Sequence, residues 1–311
     1  LPGGCNIGAR SIDQHLRGFE QMGVTFEESE GYIIGTVGEL QGGKVYFDRP
    51  THTGTENIMM AAVMAKGTTE IINASCEPEV KDLADFLIKM GAKIQGAGSP
   101  YMVIEGVHTL SGAEYTPMGD RLEAGTYLLA AMATKGKVTV KGIRPIDLGL
   151  AMRKIQEMGA ELQTTENSVT LKMLGRPART DVITMPFPGF PTDLQPMVTS
   201  VLALADGTSY LRETVFENRF LHTMELARLG ANIRIQGDTA TIDGVPRLKG
   251  ASIMASDIRG GAGLVVAGLA AEGVTEIQRV YHIDRGYDRI EKRLTQLGAR
   301  IQRVNKGAYK S

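Results

Sequence analysis

Hydrophobic and polar positions along the chain recur in the order amphipathic helix, glycine, short strand. Five segments follow this order, from FEQMGVTF near the start to RLTQLGARI near the end, and their glycines stand 68 to 71 residues apart. A glycine at a helix end accepts the left-handed backbone conformation that lets the chain reverse into a strand. The pattern therefore predicts five helix ends, at Gly23, Gly91, Gly159, Gly230 and Gly298.

A second series of helices alternates with the first. Each member, such as AAVMAKGTTEI or VLALADGTSYL, has an alanine-rich stretch, a glycine and a β-branched strand, and its alanine face suits a helix that approaches other elements closely. The glycines stand 66 to 71 residues apart, at Gly67, Gly136, Gly207 and Gly273. The two series together predict an α/β protein built from βαβαββ repeats of about 69 residues.

The phase of the repeat matters at the start of the chain. The second-series glycine that should precede Gly23 falls before Leu1, so the chain opens within a repeat. We therefore expect N-terminal material to be missing and the chain alone to be inactive. Its 311 residues are enough for two domains.

Composition excludes several classes of function. The net charge of -1, from 34 basic and 35 acidic residues, argues against nucleic-acid binding, and 5% aromatic residues without tryptophan argue against base stacking. Two cysteines without a CxxC pair and five histidines without ligand spacing argue against a disulfide scaffold and a zinc site. No apolar run approaches the ~20 residues of a membrane span, and no signal peptide is visible, so we expect a cytoplasmic enzyme.

The glycine-rich segment LPGGCNIGAR holds Cys5 in a loop, with Arg10 five residues later. Exposed backbone N–H groups and a nearby cation lower the pKa of a thiol, which makes it a nucleophile or a proton donor. A surface cysteine in a turn is the alternative. Cys76 lies beside a predicted helix start and is predicted to be a plain buried thiol.

The segment PFPGFPTDLQP places Asp193 at the start of a predicted helix, after three prolines that fix the local backbone. A carboxylate held on such a rigid turn can act as a general base. It can equally be an N-cap that accepts backbone N–H groups. The local sequence leaves both interpretations open.

Four arginines lie beside predicted turns: Arg121, Arg219, Arg259 and Arg285. An acidic residue near an arginine usually means a surface ion pair of small energy. Because these arginines recur at loop positions of a repeated fold, they also suggest a polyanionic ligand, which arginine binds through its planar fork of donors. The glycines of SDIRGGAG before a helix are a weak phosphate-binding signal.

The motifs LPGGCNIGAR, THTGTENIMMAA, FPTD, TVFENRF and HIDRGY occur in this order. Through them the chain resembles the UDP-N-acetylglucosamine enolpyruvyl transferases from Leu1 to about Val304. The resemblance implies two domains, each an inverted α/β barrel of three βαβαββ units. Domain one is expected at 1–118, incomplete at its N-terminus, and domain two at 119–311.

The resemblance also implies roles for individual residues. Cys5 resembles the loop cysteine that donates a proton to the methylene carbon of phosphoenolpyruvate and forms a covalent adduct with it, and Asp193 resembles the aspartate near the attacking sugar hydroxyl. The implied substrate-binding residues are Arg10, Ser11, Ile12, Asp13, Gln14, Asp193, Val215 and Arg285. Secondary candidates around the cleft are Arg219, Asp257, Arg259 and Asp120.

The activity implied is the transfer of the enolpyruvyl group of phosphoenolpyruvate to the 3-hydroxyl of UDP-N-acetylglucosamine, with release of phosphate. That reaction opens peptidoglycan precursor synthesis, which links it to cell-wall growth, cell shape and division, and it is the target of fosfomycin. No metal or organic cofactor is expected. No nucleic-acid, membrane or obligate protein partner is expected either.

The chain departs from the family pattern at two places. The Lys-Asn pair that grips phosphoenolpyruvate has no counterpart here, and Arg49 to His52 read RPTH where some members have a lysine that contacts the sugar nucleotide. The alternatives are the sister synthase that uses shikimate 3-phosphate, with which we do not associate the LPGGC loop, and a non-catalytic nucleotide-sugar-binding relative.

Overall fold

The computed structural model of the protein describes residues 7–8 and 11–304. These residues form two compact units. The first contains 11–118 and Pro186–Pro188, and the second contains 7–8, Gly119–Met185 and 189–304.

The first unit begins with a helix and a hairpin and continues with one four-stranded sheet. Its helices are α1 (Asp13–Glu20), α2 (His52–Ala62) and α3 (Pro78–Lys89). Its strands are β1 (Thr25–Ser29), β2 (Tyr32–Thr36), β3 (Lys44–Tyr46), β4 (Thr68–Ile72), β5 (Lys93–Gln95) and β6 (Tyr101–Glu105). The sheet has the order β3-β4-β6-β5, and β1 pairs with β2.

The second unit contains three further sheets, ordered β7-β9-β8, β10-β11-β13-β12 and β14-β15. Its strands are β7 (Lys137–Lys141), β8 (Glu161–Thr165), β9 (Ser168–Lys172), β10 (Val182–Ile183), β11 (Thr208–Arg212), β12 (Asn232–Gln236), β13 (Thr239–Asp243), β14 (Ser252–Met254) and β15 (Glu276–Gln278). Its α-helices are α4 (Arg121–Ala133), α5 (Leu150–Glu157), α6 (Gln195–Leu202), α7 (His222–Arg228), α8 (Ile258–Ala270), α9 (Tyr281–Asp284) and α10 (Ile290–Gln296). Short 3-10 helices cover Pro145–Leu148 and Thr192–Leu194.

The predicted repeat is visible in the succession of elements. From β3 to β6, and again from β10 to β13, the chain runs strand, helix, strand, helix, strand, strand. In both sheets the first two strands are parallel and the last two form an antiparallel hairpin that folds back beside them. The mixed α/β class predicted from the sequence is confirmed.

The five first-series glycines all have the predicted left-handed backbone, with φ between 92° and 109°. The residue after each glycine donates its N–H to the carbonyl five residues earlier, which is the hydrogen bond of a Schellman turn. The five bonds run from Val24 to Phe19, Ala92 to Leu87, Ala160 to Ile155, Ala231 to Leu226 and Ala299 to Leu294.

Two details of the predicted pattern are wrong. At the end of α4 the left-handed residue is Lys135 (φ 53°) and not Gly136, because the turn closes one residue early through a bond from the Gly136 N–H to the Ala131 carbonyl. A strand was predicted after Gly298, but residues 299–304 form none. Val304 is the last residue that the structure describes. In the other repeats that strand pairs with the next one along the chain, and the described residues contain no such partner here.

Helices α4, α6 and α8 pack against one another in the middle of the second unit. Every residue of α6 is buried, as is nearly every residue of α4 and the stretch Gly260–Ala267 of α8. A helix that is apolar on all faces belongs in a protein core. Among the described residues, no helix is both long and apolar enough to cross a membrane.

The closest approach of α6 and α8 is at Gly263. A Cβ placed on Gly263 would lie 2.7 Å from the carbonyl oxygen of Pro196, and the Ser200 hydroxyl donates to the Gly263 carbonyl at 2.8 Å. Backbone therefore touches backbone at this point, and only glycine permits it.

We expect Gly263→Ala to lower the free energy of unfolding by about 1–3 kcal/mol, because the added methyl group meets backbone that cannot move aside cheaply. The matched control is Gly268→Ala in the same helix, where the new Cβ meets only the Thr275 side chain at 3.2 Å. Urea denaturation of both variants measures the difference. Equal stability of the two would contradict the close approach as the reason for glycine at 263.

Candidate active site

The predicted acid Cys5 and the predicted phosphate ligand Arg10 lie outside the described residues. The described residues between them, Ile7 and Gly8, contact the TVFENRF segment: the Ile7 carbonyl accepts the Asn218 N–H at 3.0 Å. Ile7 is buried. Cys76 is half-buried rather than fully buried, and burial raises the pKa of its thiol, which keeps it protonated at neutral pH.

Asp193 lies between two arginines that come from distant parts of the second unit. One carboxylate oxygen accepts from Arg219 Nη2 at 2.7 Å and the other from Arg259 Nε at 3.2 Å. The Arg219 side chain is 2% exposed and that of Asp193 is 32% exposed, so the carboxylate faces outward from a buried guanidinium. The N-cap interpretation of Asp193 is wrong, because Pro191 and Leu194 are the N-cap residues here and the Asp193 carboxylate accepts from guanidinium groups, with no backbone N–H of the described residues bonded to it.

The same cluster includes an aromatic ring beneath Arg259. The guanidinium lies over the ring of Tyr287, 5.3 Å from its centre, and the Tyr287 hydroxyl pairs with the hydroxyl of Thr126 at 2.8 Å. A cation over an aromatic face is held in orientation as well as in place. We call Asp193, Arg219, Arg259 and Tyr287 the Asp193 cluster.

The electrostatics of the cluster favour an ionised carboxylate. Burial by itself would raise the pKa of Asp193, but the charges of Arg219 and Arg259 and their hydrogen bonds outweigh it and hold the pKa below the usual aspartate value. Two guanidinium groups thus face the Asp193 carboxylate, and the charge of Asp120 also acts on Arg259.

Two secondary candidates cap the helices that surround this cluster. Asp120 accepts from the N–H groups of Leu122 and Glu123 at the start of α4. Asp257 is buried and accepts from the N–H groups of Arg259 and Gly260 at the start of α8. Both carboxylates thus have a structural task, and the cap at Asp257 fixes the first turn that carries Arg259.

Two guanidinium nitrogens of the cluster, Arg219 Nε and Arg259 Nη1, are buried and have no hydrogen-bond partner among the described residues. The same holds for His222 Nε2 and both amide atoms of Gln195, which are not part of the cluster. Guanidinium N–H groups in such a position can bind a phosphate or carboxylate in the fork geometry of arginine. These atoms have almost no solvent-accessible surface, so an anion reaches them only if neighbouring side chains move.

Sequence reasoning missed His222 and Glu213. His222 stands three residues after Arg219, fully buried, with Nδ1 3.1 Å from the Arg219 carbonyl. Because a carbonyl only accepts, Nδ1 carries the proton and Nε2 does not. Glu213 immediately precedes the TVFENRF motif and is also buried. Nothing in the local pattern of the sequence reveals how deeply either side chain lies.

Val215 and Arg285 were predicted to bind substrate. The Val215 N–H donates to the Glu213 carboxylate at 2.8 Å, so a backbone contact from Val215 to a ligand would have to use its carbonyl oxygen. Arg285 is exposed at the end of α9, two residues before Tyr287.

The predicted stretch Ser11–Gln14 lies in the first unit, at the start of α1. The Ser11 hydroxyl donates to the Asp13 carboxylate, and this bond is the main reason why the pKa of Asp13 is lowered. Ile12 is the N-cap residue of α1. The buried Gln14 pairs through its amide with the backbone of Arg49, at 3.2 Å and 3.3 Å, so its side chain holds the RPTH segment in place.

Comparisons with known proteins identify the family of the chain. The family model of EPSP synthase (3-phosphoshikimate 1-carboxyvinyltransferase) matches residues 1–294. The chain belongs to the EPSP synthase family of enolpyruvyl transferases. Members of this family named UDP-N-acetylglucosamine 1-carboxyvinyltransferase, from two strains of Nitratidesulfovibrio vulgaris (DP4 and Hildenborough), are 53% identical to it over 304 residues. The match covers 97% of this chain and 73% of each relative.

Solved structures of other family members share the fold. The enolpyruvyl transferase NikO from Streptomyces tendae superposes with a TM-score of 0.86 at 25% identity, covering 94% of this chain and 72% of that one. EPSP synthase from Acinetobacter baumannii gives a TM-score of 0.73 at 17% identity, with the same coverage of both chains.

We expect His222 to make the stability of the protein depend on pH. Burial lowers the pKa of His222 to about 4; the Asp257 charge opposes this and the Arg219 charge adds to it. Between the ordinary value near 6.5 and 4, the unfolded chain binds a proton that the folded chain does not, so the free energy of unfolding falls as the pH falls. Over that interval the loss reaches about 3 kcal/mol.

His222→Asn tests this, because an asparagine amide can still donate to the Arg219 carbonyl but does not titrate. Urea denaturation between pH 7 and pH 4 gives the free energy of unfolding of both proteins. Subtracting the pH slope of the variant from that of the wild type removes the contribution of the carboxylates, which both proteins share. We expect the free energy of unfolding of the wild type to depend more steeply on pH, by the equivalent of up to one bound proton. Parallel slopes would show that His222 does not resist protonation.

Proposed function

We propose that the residues of this chain take part in enolpyruvyl transfer from phosphoenolpyruvate to the 3-hydroxyl of UDP-N-acetylglucosamine, with release of phosphate. The observation that carries the proposal is the Asp193 carboxylate between the buried Arg219 and the Arg259 guanidinium, in a chain 53% identical to relatives named for this transfer. Its place is then the start of peptidoglycan precursor synthesis in the cytoplasm. The reaction needs an acid, a base and cations, and it uses no cofactor.

In the addition half of the reaction, Cys5 gives a proton to the methylene carbon of phosphoenolpyruvate. The sugar oxygen attacks the adjacent carbon as its own proton passes to Asp193, and a tetrahedral intermediate results. An ionised carboxylate is required at that moment, and the lowered pKa of Asp193 keeps it ionised at neutral pH.

In the elimination half, the methyl group of the intermediate returns a proton to the Cys5 thiolate while the C–O bond to phosphate breaks, and the proton on Asp193 passes to the departing phosphate. The product is an enol ether of the sugar, and the other product is inorganic phosphate. Arg10 and Arg285 are proposed to hold the phosphate and carboxylate of phosphoenolpyruvate, and Arg219 and Arg259 add positive charge near the leaving group. The stretch Ser11–Gln14 and the Val215 carbonyl are proposed to meet the UDP-sugar.

We infer that the architecture is a pair of inverted barrels, with helices inside and sheets outside. The central packing of α4, α6 and α8 supports this for the second unit. In the other repeats the second strand of each hairpin also pairs on its far edge, as β6 does with β4 and β13 with β11. Within the described residues β2 pairs only with β1, which supports an incomplete first barrel.

Substrate choice separates this proposal from the sister reaction, because the family model carries the name of the synthase that uses shikimate 3-phosphate. We expect phosphate release to depend on UDP-N-acetylglucosamine. The assay uses the chain itself and a chimera in which the chain replaces the matching 304 residues of the Nitratidesulfovibrio vulgaris relative. Phosphate release that requires shikimate 3-phosphate instead would overturn the proposal, and binding of the UDP-sugar without turnover in either protein would favour a non-catalytic relative.

Asp193→Asn keeps the shape of the side chain and removes the proton acceptor. We expect kcat to fall ~100-fold or more, as is usual when a general base is lost, with a smaller change in affinity for the UDP-sugar. The thermal midpoint should also fall, because Arg219 then faces a neutral amide. Asp238→Asn, which breaks a surface pair with Arg212, is the control and should change neither quantity strongly. A loss of affinity in proportion to the loss of rate would make Asp193 a binding residue only.

A further inference from the structure

Glu213 directly follows strand β11, and its side chain is 4% exposed. One carboxylate oxygen accepts from the Thr184 hydroxyl at 2.9 Å, the Val215 N–H at 2.8 Å and the Phe216 N–H at 3.2 Å. The other oxygen accepts from the Thr192 hydroxyl at 2.9 Å. Both oxygens of a buried carboxylate are therefore occupied.

All four of these donors are neutral. A buried carboxylate is costly unless hydrogen bonds or a cation compensate for lost water, and within the described residues hydrogen bonds do so alone. Hydrogen bonds to a carboxylate are strong and directional. The position of the Glu213 carboxylate is therefore fixed by the directions of its donors, and the donors are fixed in turn by the carboxylate.

Three of the four donors belong to the segments that carry Asp193 and Arg219. Thr192 is the residue before Asp193, and Val215 opens the loop that leads to Arg219. The Thr192 carbonyl also accepts from Arg219 Nη2 at 3.2 Å. Glu213 thus ties together the two turns whose side chains form the Asp193–Arg219 ion pair.

The structure assigns Glu213 the task of a positioning residue, on the basis of the function proposed above. We propose that its carboxylate fixes the Asp193 turn and the Arg219 loop relative to each other and does not itself touch the substrate. Displacements of about 1 Å in a reacting group can lower a rate by ~100-fold, so a link of this kind matters for turnover.

Two substitutions at Glu213 distinguish positioning from proton transfer. In Glu213→Gln the amide oxygen can accept the three bonds made to one carboxylate oxygen, and the amide nitrogen can donate to the Thr192 hydroxyl, which turns round to accept. The geometry is kept while the carboxylate is replaced by a neutral amide, so in the chimera that carries this chain we expect kcat within about threefold of the unsubstituted chimera. Glu213→Ala loses all four bonds and should lose most of the activity.

Because Glu213→Ala can fail to fold, Thr192→Val provides a second test. It removes only the bond to Glu213 and keeps the shape of the side chain. Thr208→Val is the matched control, since the Thr208 hydroxyl also donates to a carboxylate, that of Asp243, at 2.7 Å, but between strands β11 and β13. We expect Thr192→Val to lower kcat about tenfold or more with KM changed less than about threefold, and Thr208→Val to leave both unchanged.

Amide hydrogen exchange gives a readout that does not need turnover. If Glu213 links the two turns, Thr192→Val should speed exchange of the Val215 and Phe216 amides, which the substitution does not touch, whereas Thr208→Val should not. Unchanged exchange at these amides would overturn the assignment, as would an inactive Glu213→Gln or a Thr192→Val that matches its control in kcat. If Thr192→Val speeds exchange but the unsubstituted protein shows no phosphate release that depends on the UDP-sugar, the proposed function fails and the link between the turns stands.

Discussion

The contact between α6 and α8 at Gly263 sets the geometry on which the rest of the second unit depends. Pro196 lies three residues after Asp193, and Gly263 lies four residues after Arg259, so the contact occurs about one turn into each helical segment. Two helices that touch backbone to backbone at that point have their first turns side by side. The 3.2 Å bond between Asp193 and Arg259 follows from this approach, although 66 residues separate the two along the chain.

This arrangement is not the most stable way to fill the space. Buried ion pairs often contribute no more than apolar side chains of the same volume, and polar atoms without partners lower stability. The cluster contains both, because Arg219 Nε is buried without a hydrogen-bond partner in the described part of the chain. The surrounding core, built mainly from Ala, Leu, Ile, Val and Met, could have excluded such a group. Local departures from good packing of this kind are expected where a protein binds and converts a ligand.

The repeat and the ends of its helices could be predicted from the sequence, because a left-handed glycine is a local requirement and recurs with the period of the fold. The exception at Lys135 shows the limit of that signal. The Schellman turn at the end of α4 closes one residue early, and a lysine instead of the glycine takes the left-handed position. The strand expected after Gly298 failed for another reason, since a strand depends on a partner that its own residues do not encode.

The candidate site was less predictable, because its contacts join residues that are distant in sequence. Asp193 could be recognised as a residue of interest, but whether it caps a helix or meets a cation depends on Arg219 and Arg259, which lie 26 and 66 residues away. Glu213 and His222 were missed because their importance comes from burial and from the groups they face. Neither property has a period or a motif.

The low pKa of Asp193 bears on how it can serve as a base. With two guanidinium groups beside it, the carboxylate is ionised but holds a proton weakly. Under the proposed function, a phosphate or carboxylate held near Arg219 and Arg259 would share those positive charges, and the pKa of Asp193 would rise when such an anion binds. The carboxylate would then become a better proton acceptor only once an anionic substrate is in place. The same two arginines would link binding of the anion to activation of the proposed base, and a weak base in the unliganded protein fits general-base catalysis of this kind.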